Sequence, residues 1–167
     1  MSETDARESP PVQERPAAGR LLALDLGRKR VGVAVSDELR LTARPLPALA
    51  RGSWKELLRA VSETLRSFDA KGLVIGLPLN MNGSEGEAAG EARRLAANFR
   101  KSLWVPVFLQ DERLTSREAE SELRRAGRSP AQIRGLVDSE AAAIILRDFL
   151  AQESNTLPPA QSSESEA

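Results

Sequence analysis

Apolar and polar positions change their period several times along the chain, and each change marks an element. Residues 21–37, LLALDLGRKRVGVAVSD, hold two apolar runs around a break at Gly27 to Arg30, the pattern of two antiparallel strands joined by a tight turn. In the second run Val31, Val33 and Val35 alternate with Gly32, Ala34 and Ser36. One face is therefore bulky, and something must pack closely over the small-residue side. Leu39 to Leu49 reads as a third strand, confined to a sheet edge by Pro45 and Pro47, which cannot donate to a ladder.

The period then becomes helical. Ser53-Trp54-Lys55-Glu56 is a capping box, and Trp54, Leu57, Leu58, Val61, Leu65 and Phe68 recur behind it at the spacing of a core-facing helix. Gly72 to Leu77, GLVIGL, is a short continuous apolar run of the kind that forms a buried parallel strand. Its exit, Pro78 to Gly86, contains the turn pair Asn82-Gly83. A second box, Ser84 to Glu87, predicts a helix with Ala88, Ala92, Leu95, Ala96 and Phe99 inward. Trp104 to Leu109 predicts another edge strand, marked by Pro106, and both tryptophans fall on apolar patterns that place them in the core. Beyond Gln110 to Arg113, Thr115 caps a further helix. Ser129 to Gln132 starts a short helix with Pro130 at its first position, and Val137 to Glu140 leads into the apolar helix Ala141 to Leu150.

Three strands, a helix, a strand, a helix, a strand and then helices specify an α/β domain. Short right-handed crossovers turn this order into a mixed five-stranded sheet, three strands antiparallel and two parallel, with helices on both faces. That is the architecture of the ribonuclease H-like fold.

Length and composition narrow the picture. A chain of 167 residues holds one domain with a real core. Residues 1–19 and 152–167 are rich in Pro, Ser and Glu without periodicity, and we expect a disordered arm and tail around a domain at 20–151. No cysteine, histidine or tyrosine is present, which excludes thiol nucleophiles, Ser-His-Asp triads and His-ligated zinc. No apolar run reaches membrane-spanning length and the N-terminal stretch has no apolar signal region, so a soluble cytoplasmic protein without a membrane partner is expected. The formal net charge is zero, but the tails are acidic: residues 20–151 carry 17 acids and 22 bases. A mildly basic domain suits a polyanion, but charge alone points more readily to an ordinary solvated surface.

Asp25 breaks the apolar run of the first strand, and an ionised carboxylate buried there without a partner would cost several kcal/mol. Two further acidic positions sit at element ends: Asp111 and Glu112 after the last strand, and Asp138 at the entrance of the apolar helix. Groups at strand ends of an α/β sheet converge on one rim, where ligands bind. Hard oxygen donors there favour Mg²⁺ or Mn²⁺, and such ions support phosphodiester hydrolysis without His or Cys. Each acid also has an ordinary role: an Asx turn for Asp25, pairing with Arg113 or Arg117 for Asp111 and Glu112, a helix N-cap for Asp138. Strand alternation sends one of Asp111 and Glu112 toward Asp25, and we take Glu112. Arg28, Lys29 and Arg30 in the turn, with Arg113 and Arg117, are placed to contact backbone phosphates.

LALDLGRKRVGVAVSD, TARPLPAL, VIGLPLNMNGSEG, LQDERLTSREAE and VDSEAAAIIL, in this order and spacing, resemble the YqgF/RuvX family over about residues 20 to 151. Its members are described as Holliday-junction-resolvase-like proteins and pre-16S rRNA nucleases. The resemblance implies a ribonuclease H-like fold, a cytoplasmic protein and a role at the 5′ end of the small-subunit ribosomal RNA precursor, with a pre-ribosomal particle as a further partner. Carried over by motif, Asp25 is the first-strand acid, Glu112 or Asp111 the acid of DER, and Asp138 the acid of VDS. The related junction resolvases carry an acid at the end of the fourth strand, where this chain has Gly76-Leu77-Pro78. Structured RNA is therefore the first expected substrate and a DNA junction the second. A ribosome-assembly factor that binds nucleic acid without turnover is the non-enzymatic reading, and an actin-like nucleotide site the more distant one.

Overall fold

A computed structural model describes residues 14–112, Gly127 and residues 130–155. Five strands form one sheet in the order β3-β2-β1-β4-β5: β1 Leu21–Leu26, β2 Arg30–Ser36, β3 Ala43–Ala50, β4 Gly72–Leu77 and β5 Val107–Asp111. β1 runs antiparallel to β2 and β2 to β3, whereas β4 is parallel to both β1 and β5. This is the expected ribonuclease H-like arrangement, with β3, which carries two prolines, and β5, which follows Pro106, at the two edges.

Helices α1 (Trp54–Ser67) and α2 (Glu87–Ser102) cover one face. Leu57, Val61 and Leu65 of α1, with Ala96 and Phe99 of α2, pack on Leu22, Leu24, Val33 and Ile75. The Trp54 ring lies 4.9 Å from that of Phe99. The Ser53 hydroxyl accepts from the Glu56 N–H at 3.2 Å, so Ser53 caps the helix where its sequence predicts. The other face carries one long helix, α3 (Pro130–Asn155), whose Ala142, Ala143, Ile145 and Phe149 pack on Leu21, Ala23, Ala34 and Val74. This helix is what fills the small-residue side of β2. Each fully buried Leu, Ile or Phe of these two layers contributes about 1.5–3 kcal/mol.

Several elements differ from their sequence reading. The third strand starts at Ala43, because the Asp37 carboxylate accepts from the N–H groups of Leu41 and Thr42 at 2.7 and 2.9 Å and makes 37–42 a turn. Leu39 and Leu41 are consequently exposed. α2 begins at Glu87 with Gly86 as its cap and no side-chain capping bond, since the Ser84 hydroxyl donates to Asn82 instead, at 2.6 Å. β5 starts at Val107, after the Pro106 carbonyl has accepted from Leu73 N–H at 2.9 Å. Trp104 is thus left 54 % exposed outside the core, beneath the Arg66 guanidinium. The two helices expected after Ser129 are one, and it continues to Asn155, past the expected domain end at 151. Residues 14–19 of the expected arm lie against the domain, with the Arg15 guanidinium 4.6 Å from the Phe149 ring centre. The helix predicted from Thr115 and the Ser129 cap fall outside the described residues.

Candidate carboxylate site at the sheet rim

Strand parity decides which side chains meet. Leu21 and Ala23 of β1 and Val74 of β4 face α3, whereas Leu22, Leu24 and Ile75 face α1 and α2. Counting on by twos puts Asp25 and Gly76 on the α3 side, at the carboxyl ends of neighbouring parallel strands. Gly76 pairs with Gln110 and Leu77 with Asp111 on β5. The chain then turns, with the Glu112 N–H donating to the Leu77 carbonyl at 3.2 Å. Glu112 therefore reaches back over β4 rather than continuing outward.

Its carboxyl lies where a side chain of β4 would be. A Cβ on Gly76 would stand 2.5 Å from Glu112 Oε2 and 2.6 Å from Ile145 Cδ1, so the absent side chain is what admits the acid. There Glu112 hydrogen-bonds Asp25 side chain to side chain. Burial first, then the negative charges of Asp25 and Asp111, push the Glu112 carboxyl from an ordinary 4.5 to about 9. Burial and the two neighbouring acids thus favour the protonated form of Glu112 within the pair. Of the two acids of DER, Glu112 is thus the one in contact with Asp25. Asp111 acts on it only through charge, and lines a shallow depression with Gln110, Asp148, Ala151 and Gln152.

Asp138 sits inside α3, eight residues along from Pro130, so it is not the helix N-cap that its sequence position suggests. Its successor Ser139 is buried, and the Ser139 hydroxyl accepts from Val33 N–H at 3.4 Å, next to Gly32, the residue paired with Asp25. The α3 backbone thus passes the rim that holds Asp25, while the Asp138 side chain lies outside what the structure describes. Among the described residues no three acids converge as a metal-binding group. Arg113 and Arg117 likewise fall outside the described residues.

Arg28, Lys29 and Arg30 are exposed in the β1–β2 turn at the same rim. One residue that sequence reasoning missed holds that turn. Arg51, just past β3, donates from its guanidinium to the Gly27 carbonyl at 2.7 Å and from its backbone N–H to the Lys29 carbonyl at 3.0 Å. It also forms an ion pair with Glu91 of α2. No local pattern announces Arg51, because its partners are remote in sequence. Gly76 carried a signal, since a glycine inside an apolar strand marks a close approach. The loop after β4 borders the site as a compact hairpin. Leu79 and Glu85 bridge, the Gly83 N–H donates to the Asn80 carbonyl at 2.8 Å, and Met81 is exposed at the tip.

Fold and site together define a ribonuclease H-like domain with a carboxylate pair on its sheet rim. A family model described as "Holliday junction resolvase", RuvX, matches residues 19–152, and the chain belongs to that family. It is similar to two proteins named "Putative pre-16S rRNA nuclease". The one from Anaeromyxobacter sp. (strain K) is 49% identical over 131 residues, spanning 78% of this chain and 96% of the relative. The other, from Anaeromyxobacter sp. (strain Fw109-5), is 47% identical over the same shares. Among solved structures, T. thermophilus RuvC in complex with a Holliday junction substrate superimposes with a TM-score of 0.51 at 19% identity. That match covers 83% of this chain and 97% of RuvC, a likeness of fold.

Proposed function

We propose that this chain is a divalent-metal-dependent endonuclease that hydrolyses phosphodiester bonds of structured RNA, acting in the cytoplasm on the 5′ end of pre-16S rRNA. The observation that carries the reading is the contact of Asp25 with Glu112 at the rim, with the basic turn beside it. Two carboxyls in hydrogen-bond contact, one held protonated by burial and by its acidic neighbours, form a centre whose repulsion a dication would relieve. Hard oxygen donors fit Mg²⁺ or Mn²⁺, which keep several waters and need few protein ligands. Asp25 and Glu112 would hold the ion, with Asp138 as the third candidate. When bound, such an ion supplies Lewis-acid polarisation of the phosphoryl group and compensates charge on the leaving oxygen.

The remaining residues position the substrate. Arg28 and Lys29 engage phosphates flanking the scissile bond, contacts that fix register without reading sequence. Arg30, Arg113 and Arg117 are candidates for the same work. Arg51 keeps the turn from moving by tying Gly27 and Lys29 to α2. The names of the relatives support a ribosomal RNA precursor as substrate, and a pre-ribosomal particle would be its setting. A four-way DNA junction is the second substrate, favoured by the description of the matching family model. The test is Mn²⁺-dependent cleavage of a ribosomal RNA precursor fragment beside a DNA junction, with Asp25→Asn as control. Cleavage of the precursor that the variant loses while still binding it supports the reading. Full activity of Asp25→Asn would place the reaction elsewhere, and binding without cleavage by the wild type would make the chain an assembly factor.

A further inference from the structure

The outward face of α1 has no role in the site described above, and its charges are unusually arranged. Lys55, Arg59, Ser62 and Arg66 recur at spacings of four, three and four, which confines them to an arc of about 60° on a helix of 3.6 residues per turn. Glu56 and Glu63 stand to one side of the stripe, and Glu63 lines the same shallow depression as Lys55, Arg59, Ser62 and Arg66 without pairing with any of the three cations among the described residues. Lys55, Arg59 and Arg66 are exposed, and among the described residues none of them forms an ion pair. Surface cations on a helix commonly find an acid on the same face, as Arg147 finds Glu140 two turns back on α3 at 3.3 Å. Here three in a row do not.

The stripe has a direction. β3 ends at Ala50, which pairs with Arg30 beside the basic turn, and Arg51 bonds that turn directly. Lys55 therefore begins one helical turn from the site rim. Eleven residues later, roughly 16 Å along the helix, Arg66 lies at the opposite rim. There its guanidinium stacks 4.5 Å from the centre of the half-exposed Trp104 ring. Unpaired cations in line, ending on an exposed aromatic, match the two devices by which proteins hold a nucleic-acid strand without reading it: charge along the backbone and a stacking platform for a base.

We propose that Lys55, Arg59 and Arg66 form a track for the phosphate backbone of the strand flanking the cleavage site, with Trp104 as the platform for a base at its far end. This rests on the nuclease reading, because it needs a polynucleotide at the rim, and it adds the path by which that strand leaves. The spacing of the three cations over about 16 Å suits several phosphates of one strand, at about 3.4 Å of rise each.

The test is equilibrium binding by the full chain, without divalent ions, of labelled single-stranded RNA and DNA over a range of salt. A short probe fills only the rim, and a long one also covers α1. Lys55→Ala/Arg59→Ala/Arg66→Ala should weaken the long probe about tenfold or more and lower its log–log salt slope by about 2, at roughly 0.7 per lost contact. The short probe should be unaffected. Arg59→Lys/Arg66→Lys should keep the slope, and Trp104→Ala should lose affinity for the long probe several-fold at constant slope, with Trp104→Phe restoring it. RNA and DNA arms show whether the track distinguishes the sugar. A triple variant that is folded by its thermal midpoint and binds the long probe with wild-type slope overturns the track alone. A wild-type chain that binds neither probe overturns the track and the nuclease reading together.

Discussion

Replacing Gly76 with alanine adds one methyl to the floor of the site. The added Cβ would stand 2.5 Å from Glu112 Oε2 and 2.6 Å from Ile145 Cδ1, whereas comfortable contacts between such atoms lie near 3.5–4.0 Å. Something must yield by about 1 Å. Ile145 is wedged in the α3 layer against the sheet, while Glu112 follows the last residue of an edge strand. The acid is the softer partner. In the catalytic role proposed for Glu112, a displacement of that size is worth roughly a hundredfold in rate. Overpacking of this kind costs about 1–3 kcal/mol of stability, or a fall of some 3 to 10 °C in Tm for a domain of this size.

The assay is steady-state cleavage beside thermal unfolding, and we expect kcat to fall with KM nearly unchanged. Ile145→Val removes the Cδ1 atom, so Gly76→Ala/Ile145→Val should regain much of the stability and little of the rate. Gly76→Ala/Glu112→Gln should cleave no more slowly than Glu112→Gln, because two changes acting through one carboxyl are not additive. A wild-type kcat for Gly76→Ala, or additive losses with Glu112→Gln, would refute the claim that Gly76 serves the site by admitting Glu112.

Three other outcomes follow from the same geometry. Glu112 is neutral in the folded chain up to about pH 9 and ionises near 4.5 when exposed, so the unfolded state holds fewer protons between those values. Stability in EDTA should therefore fall as pH rises from about 4.5 to about 9 and level off above it; Glu112→Gln should flatten that slope and raise the midpoint at pH 8, measured by urea unfolding. Mn²⁺ or Mg²⁺ should raise the Tm of the wild type with the logarithm of concentration and release protons, and should do neither in Asp25→Asn; an equal shift in both proteins would place the ion elsewhere. Arg51→Ala removes a charged hydrogen bond to Gly27 and an ion pair whose acid is half exposed. It should cost about 1–2 kcal/mol and raise KM for a nucleic-acid substrate several-fold with little change in kcat, as kinetics at two salt concentrations would reveal.

Much of this architecture is written in local pattern. The alternation of Val31, Val33 and Val35 with small residues sets the two faces of β2, the Ser53 box starts α1, and prolines in β3 and before β5 keep both strands at the edges. These features depend on neighbours one to four residues apart, so they are visible without a fold. Asp25 stood out for the same reason, as a charge inside an apolar run. Elements whose limits depend on distant partners were not visible. Trp104 lies on an apolar pattern, yet it is exposed, because the parallel ladder with β4 takes up the chain only from Pro106 onward. α3 reads as two helices, and Asp138 as a cap, because Asp138-Ser139-Glu140 before an apolar run looks like a fresh helix start and nothing local joins it to the segment in front.

Sequence by itself determined which chemistry was available: carboxylates, arginines and no imidazole or thiol. Tertiary structure decided which carboxylate joins Asp25. Two residues of DER were eligible, and the choice fell to Glu112 because the chain bends back over β4 at Leu77, where Gly76 leaves the space that its carboxyl fills. That vacancy belongs to another strand, thirty-six residues away, and only packing brings the two together.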